Sequence, residues 1–397
     1  MINIREKFLK KIDRVDTSFI RDIERQIDWN NRLIGVKGAR GVGKTTMLLQ
    51  HIGKSLPSDQ RTVYVSLDDI WFSANSLVDF TDLFVKNGGE FLILDEVHHY
   101  RNWSQEIKNI YDDHPDLKII FTGSSIIHLG KSQADLSRRA VIYEMHGLSF
   151  REYIKLNNRK DFDVINLKSI LKDHVQFSRE ITGKIKPIQL FNEYLKIGYY
   201  PYFIENKDSY HNKLAQTVNL VLEVDLPYAQ DISSLSIDKL KKLLYILAVS
   251  VPFKPNVLKL SEKTGISRNT IIQFINYLAD AKIINLLNSD SSGISQLQKP
   301  QKIYLHHPNL LYTLAPENAN TGSVRESFFN NQLSNVYKVN YTDKGDFLVN
   351  DKYTFEIGGK NKSRKQIADV PDSFIASDYL EIGFRNRIPL WLFGFLY

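Results

Sequence analysis

Gly38-Ala39-Arg40-Gly41-Val42-Gly43-Lys44-Thr45 fits the pattern GxxxxGK[ST] at every fixed position. Such glycines let successive backbone N–H groups curl around phosphate oxygens, so Gly38, Arg40, Gly41, Val42, Gly43, Lys44, Thr45 and Thr46 form the expected phosphate cradle. Lys44 offers positive charge to the β and γ phosphates, and the Thr45 hydroxyl is a candidate Mg²⁺ ligand. Fifty-one residues beyond Lys44, the apolar run Phe-Leu-Ile-Leu delivers Asp95 and Glu96. Asp95 is expected to hold Mg²⁺ through water, and Glu96 to orient the water that attacks the γ-phosphate. A carboxylate at that second position favours hydrolysis over phosphorylation of another substrate. Asn206-Lys207-Asp208 has the wrong spacing for a guanine-reading NKxD motif, which makes ATP the expected nucleotide.

Further along, Lys-Ile-Ile-Phe runs into Thr122-Gly123-Ser124-Ser125. A hydroxyl there either senses the γ-phosphate or belongs to an ordinary strand-ending turn. Arg138 and Arg139 could neutralise transition-state charge in cis or from a neighbouring subunit, although a surface salt bridge is the commoner fate of an arginine. His98 and His99 have no second histidine cluster nearby at ligand spacing and read as coupling or packing residues.

These groups need strands that end where helices begin. The sequence predicts strands at Arg32–Val36, Val63–Leu67, Phe91–Leu94 and Lys118–Phe121, with helices at Thr45–Ile52, Ser76–Lys86 and Trp103–Tyr111. Strands alternating with helices imply a parallel α/β sheet covered on both faces. Residues 1–30 read as a charged helical arm. A chain of 397 residues exceeds one core, so several domains are expected. Hydrophobic (43%) and charged (24%) shares exclude a fibrous or wholly disordered chain. Zero cysteines exclude disulfides and thiol catalysis. The longest nearly apolar run, Leu243–Phe253, falls short of the ~18 residues that suggest a membrane span. The N-terminus lacks a signal-peptide core. A cytoplasmic protein without membrane partners is expected.

GARGVGKTTMLLQ, LILDEVHHYRNWSQEIKNIYD, KIIFTGSS, DLSRRA and GLSFREYI, in that order, resemble the prokaryotic AAA-type ATPases that carry a C-terminal DUF4143 region. That group is related to the archaeal-type ATPases of the AAA/STAND class. The resemblance implies that Ser124 is the polar sensor, that Arg138 and Arg139 are nucleotide-linked, and that the helices after GLSFREYI form a lid. The fold class expected is an α/β P-loop NTPase core with parallel sheet (1–147), a helical lid (148–235), a winged helix (236–302) and an α+β restriction-endonuclease-like domain (303–397).

Net charge is +7, and residues 236–302 hold ten basic against four acidic side chains. A helix, the turn Thr264-Gly265-Ile266 and a helix capped by Ser267 give a helix-turn-helix order there. Arg268, Asn269, Thr270 and Gln273 would face a nucleic-acid groove, and Lys299 and Lys302 would reach phosphates from the wing. DNA or RNA is therefore one expected partner. An interdomain, protein-partner or homo-oligomer contact is the other.

At the C-terminus Glu326, Asp346 and Glu356 resemble the carboxylates of the nuclease-like core in the same family. The resemblance asks for Lys two positions after the last acid, where this chain has Gly358. Lys360 is the nearest replacement along the chain, and the domain reads as degenerate. Three outcomes are left open: a nucleic-acid-dependent ATPase, a slow ATP switch working through protein contacts, and an ATP-controlled nuclease.

Overall fold

The computed structural model describes residues 2–126, 136, 138–158, 160–230, 232–289 and 300–397. Two compact units emerge: Met1–Gly147 with Glu223–Ile232, and Leu148–Leu222 with Ser233–Tyr397. The run Glu223–Ile232, expected within the lid, joins the first unit. The three downstream domains expected separately fall within one unit.

In the first unit, α1 (Ile2–Ile12) precedes β1 (Leu33–Gly38), α2 (Lys44–Ser55), β2 (Thr62–Ser66), α3 (Leu77–Lys86), β3 (Phe91–Asp95), α4 (Trp103–Asp113), β4 (Lys118–Ser124) and β5 (Val141–Glu144). The sheet runs β2-β3-β4-β1-β5 with every pair parallel. The four predicted strands are present; β5 is additional. β4 lies between β1 and β3, pairing Gly38 with Ser124 and Leu94 with Phe121. The loops after β1, β3 and β4 therefore leave one sheet edge side by side, where ligands of α/β sheets bind.

Local chemistry sets the helix ends. Ser76 caps α3 by accepting from the Val78 and Asp79 N–H groups. Gly88, at φ +84°, and Gly89 return N–H groups to the Val85 and Phe84 carbonyls and end it. The N-terminal arm is helical only over α1 and one turn, Ile23–Gln26. Between them Arg21 is buried, and its guanidinium donates to the Val42, His146 and Gly147 carbonyls. Apolar side chains of β3 and α4, including Leu92, Leu94 and Ile107, fill the core on one sheet face.

The second unit begins with α5 (Phe150–Asn158), α6 (Leu167–Thr182), α7 (Pro187–Ile197) and α8 (Tyr210–Leu220). There follow α9 (Ser234–Ala248), α10 (Val257–Thr264), α11 (Arg268–Asp280) and an antiparallel pair, β6 (Ile284–Leu287) and β7 (Lys302–Leu305). Gly265, at φ +68°, makes the turn between α10 and α11. After α12 (Pro308–Leu314) and α13 (Thr321–Ser334) comes a mixed sheet of β8 (Val339–Asn340), β9 (Phe347–Val349), β10 (Tyr353–Gly358), β11 (Ser373–Ser377) and β12 (Arg387–Pro389). Its order is β12-β11-β10-β9-β8, antiparallel from β8 to β10 and parallel beyond. Phe329 of α13 packs on Phe347, Phe355 and Phe393 beneath it. Among the described residues, no helix is long and apolar enough to cross a membrane.

Leu94 is fully buried one residue before Asp95. Leu94→Ala should cost about 2–5 kcal/mol of stability in urea unfolding. The exposed Lys86→Ala should stay within about 0.5 kcal/mol of the parent.

Candidate active site

The glycines of the loop have separate reasons. Gly41 and Gly43 take φ +86° and +99°, which side chains rarely adopt. A Cβ on Gly38 would stand 2.3 Å from the Met145 carbonyl oxygen. Gly43 caps α2 without a side-chain acceptor, leaving the helix N-terminus open to an anion. The Lys44 ammonium is buried and donates to the Gly38 and Ala39 carbonyls at 3.0 and 3.2 Å. Burial lowers its pKa, against the pull of Glu96, Asp95 and Asp225. A buried ammonium whose hydrogen-bond contacts among the described residues are all carbonyls suits an incoming polyphosphate.

Asp95 is the hub. Its Oδ2 accepts from the Thr45 hydroxyl at 2.7 Å and from the Tyr64 phenol at 2.6 Å, and its Oδ1 from the Thr122 hydroxyl. Burial and the Asp95 charge push the Tyr64 pKa far up, so the phenol stays a donor. Thr122 also accepts the Glu96 N–H at 3.1 Å, linking the two acids. Glu96 itself sits at φ +52°, turning its side chain out of the strand direction. A hydroxyl and a carboxylate oxygen side by side at the sheet edge suit a divalent cation.

Of the three hydroxyls at the end of β4, Thr122 touches the acids. Ser124 is buried, and its N–H donates to His98 Nδ1 at 3.3 Å. Ser125 donates its N–H to Gly38 O, while its buried Oγ has no hydrogen-bond partner among the described residues. Glu96, His98 and His99 hold ligand atoms within 4.8 Å of one another. His98 Nε2 lies 3.4 Å from Glu96 Oε2 and is buried without a hydrogen-bond partner among the described residues. Burial lowers the His99 pKa, with His98 adding to the effect.

Arg40 pairs with Asp225 at 2.7 Å. Burial opposes ionisation of Asp225, but His98 and Arg40 outweigh it and hold its pKa below the usual value. Of the two arginines expected to serve the nucleotide, Arg139 is engaged away from the loop. Arg138 is exposed. Arg139 forms a two-pronged pair with Asp112, near the end of α4 that leads to the opposite edge of the sheet. Arg21, Tyr64 and Asp225 escaped the sequence reading. Only Tyr64, a phenol between Val63 and Val65 in a strand, left a signal in it.

In the second unit Arg268, Asn269 and Gln273 lie exposed along the start of α11. Thr270 is partly spent on the cap, its N–H and hydroxyl both meeting Ser267 Oγ. Lys299 lies outside the described residues. Lys302 is not a phosphate-facing wing residue: 12% exposed, it stands 3.8 Å from both Glu326 and Asp346.

Glu326, Asp346 and Glu356 do approach one another, but around lysines. Tyr304 donates to Glu326 at 2.7 Å, Asp346 accepts the Ile357 N–H, and Lys362 pairs with Glu356 at 2.5 Å. Lys360 is exposed and offers its carbonyl to Arg387, so it does not reach the acids. Lys362 does, because its side chain folds back over Gly358: a Cβ there would overlap it at 2.5–2.7 Å. These acids form no group of ligand atoms of the kind seen at Glu96 among the described residues.

Fold and loop together define a P-loop nucleotide-binding core. Residues 30–154 match the family described as an AAA domain. Residues 188–321 match a domain of unknown function, DUF8612, where the sequence had suggested DUF4143. The chain is similar to the uncharacterized protein MJ1637 of Methanocaldococcus jannaschii, at 26% identity over 97% of this chain and 88% of that one. It is also similar to the uncharacterized protein MJ1544 of the same organism, at 28% identity over 68% of this chain and 59% of that one. Among solved structures, AMPPCP-bound DnaA from Aquifex aeolicus overlaps at 17% identity and TM-score 0.27, covering 66% of this chain and 87% of that one. The Aeropyrum pernix ORC1 protein in complex with DNA overlaps at 11% and 0.32, covering 79% and 92%. Overlaps of that size carry nothing about what this chain binds.

Burial and the neighbouring Asp346 raise the Glu326 pKa. An acid whose folded pKa is raised subtracts from stability above that pKa, and the loss is relieved as pH falls. Glu326→Gln keeps an acceptor for Tyr304 and should raise the urea midpoint near neutral pH. The gain should shrink as pH approaches the ordinary carboxylate value of about 4.3. A gain independent of pH would contradict the shift.

Proposed function

We propose that this protein binds ATP with Mg²⁺ and hydrolyses it to switch its downstream domains between arrangements. The observation that carries the reading is the convergence of Lys44, Thr45, Asp95 and Glu96 at one sheet edge, tied together by Thr122. Lys44 and the backbone from Gly38 to Thr46 would hold the phosphates, and Thr45 with Asp95 the cation. Bound Mg²⁺ supplies a charge that offsets the phosphoryl oxygens. The Glu96 carboxylate accepts the proton of a water, and Thr122 keeps that carboxylate in register with Asp95. Ser124 supports His98 through its N–H and acts on Glu96 at one remove.

Glu96→Gln should lower ATP turnover at least about a hundredfold while sparing nucleotide binding. Lys44→Ala should lose binding itself, read by titration of a fluorescent ATP analogue. Normal hydrolysis by Glu96→Gln would remove Glu96 from its role.

Coupling to nucleic acid is the reading favoured for the α9–β7 region as a winged helix, on the exposed Arg268, Asn269 and Gln273 and the surrounding lysines. The α13–β12 region reads as a restriction-endonuclease-like core kept for binding or packing, with Lys362 in the space of the missing lysine and the acids neutralised by Lys302 and Lys362. One titration addresses both. Duplex DNA added at low salt with Mg²⁺ should stimulate ATP turnover, lose that effect as salt rises, and remain uncut. A slow turnover indifferent to DNA would favour a switch that acts through protein contacts, and nicking lost in Glu356→Ala would establish a nuclease.

A further inference from the structure

The run Glu223–Ile232 packs with the first unit, although the chain on either side of it belongs to the second. It brings one carboxylate to the phosphate loop. Asp225, 1% exposed, gives Oδ1 to Arg40 Nη1 at 2.7 Å, and Arg40 is a residue of the loop itself. The same oxygen stands 3.8 Å from His98 Nε2 and 3.7 Å from His99 Nε2. Tyr228, three residues on, sets its ring edge-on to His99 at 5.7 Å. The other oxygen, Asp225 Oδ2, is buried without a hydrogen-bond partner among the described residues. A half-satisfied carboxylate is thus held beside a cradle built for anions, with its hydrogen bond among the described residues coming from Arg40.

We propose that Glu223–Ile232 is a strap that a nucleoside triphosphate dislodges, because the polyphosphate competes with Asp225 for Arg40. The proposal rests on the reading of the loop as an ATP site. Like charges a few ångströms apart repel strongly where water is scarce. Once Arg40 turns to phosphate, Asp225 is a buried carboxylate with neither oxygen in a close ion pair, which a protein interior does not tolerate. The strap then leaves, and His98 keeps Glu96 as its nearby carboxylate among the described residues. Asp225 is a positioning residue in this scheme: docked, it divides His98 between two acids; released, it commits the histidine to the hydrolytic one. By linkage, a strap weakened by nucleotide must weaken nucleotide binding by the same factor.

The test is hydrogen–deuterium exchange of the full chain with and without a non-hydrolysable ATP analogue and Mg²⁺, beside affinity measured with a fluorescent ATP analogue. Saturation should speed exchange across residues 223–232. Asp225→Asn should exchange quickly there without nucleotide and bind the analogue about tenfold more tightly. A role in holding the fold alone predicts weaker binding by that variant. Unchanged or slower exchange on saturation, or binding by Asp225→Asn no tighter than the parent, overturns the proposal. Should Asp225→Asn fail to fold, exchange of the parent protein decides. A parent protein that does not bind the analogue at all overturns the ATP reading first, and the strap with it.

Discussion

A carboxylate buried at the end of a parallel strand, with no cation in hydrogen-bond contact, has to be surrounded by donors. Asp95 meets that requirement with three hydroxyls from three elements: Thr45 of α2, Tyr64 of β2 and Thr122 of β4. Losing them would leave a buried charge unsatisfied. The order of the sheet follows from the same requirement. β4 must stand beside β3 in one register, since a slip of one residue would turn Thr122 to the opposite face. With β4 also beside β1, the Ser125 N–H closes on Gly38 and the phosphate loop is tied to the acid pair.

Much of this core was legible because its motifs carry their own spacing. The phosphate loop, the acid pair and four strands are local patterns, each bounded by glycines or charges. β5 was not: its Val141-Ile142-Tyr143 is apolar, but the strand is only four residues long and lies half-exposed at the edge of the sheet. Arg21 and Asp225 were not legible either. Their partners lie on other segments, and nothing about an arginine in an N-terminal arm marks it as a ligand of the Val42 carbonyl.

The lysines show where charge counting fails. Lys302 adds to the basic excess of its region on paper, yet Glu326 and Asp346, from further along the chain, neutralise it inside the second unit. Lys360 is nearer to the acids than Lys362 along the chain, but not in the fold. The strand stops at Gly358, and the turn that follows brings the later lysine back across it. A glycine that removes the expected side chain also makes room for its substitute. The charge left facing solvent in this region is therefore smaller than the count suggests, with Arg268 at its exposed edge.

The placement of Glu223–Ile232 bears on how the chain is modular. A cut at the obvious border after Gly147 would yield a piece with every recognisable nucleotide motif, yet missing a segment that is as much a part of it as any strand. Arg40 would lose its carboxylate and the face of His99 would lose Tyr228. Such a fragment, or a chimera grafting this core onto other downstream sequence, would be a different machine from the parent: its loop charge would be set by solvent. The folded unit in this architecture is longer than the stretch that the motifs announce.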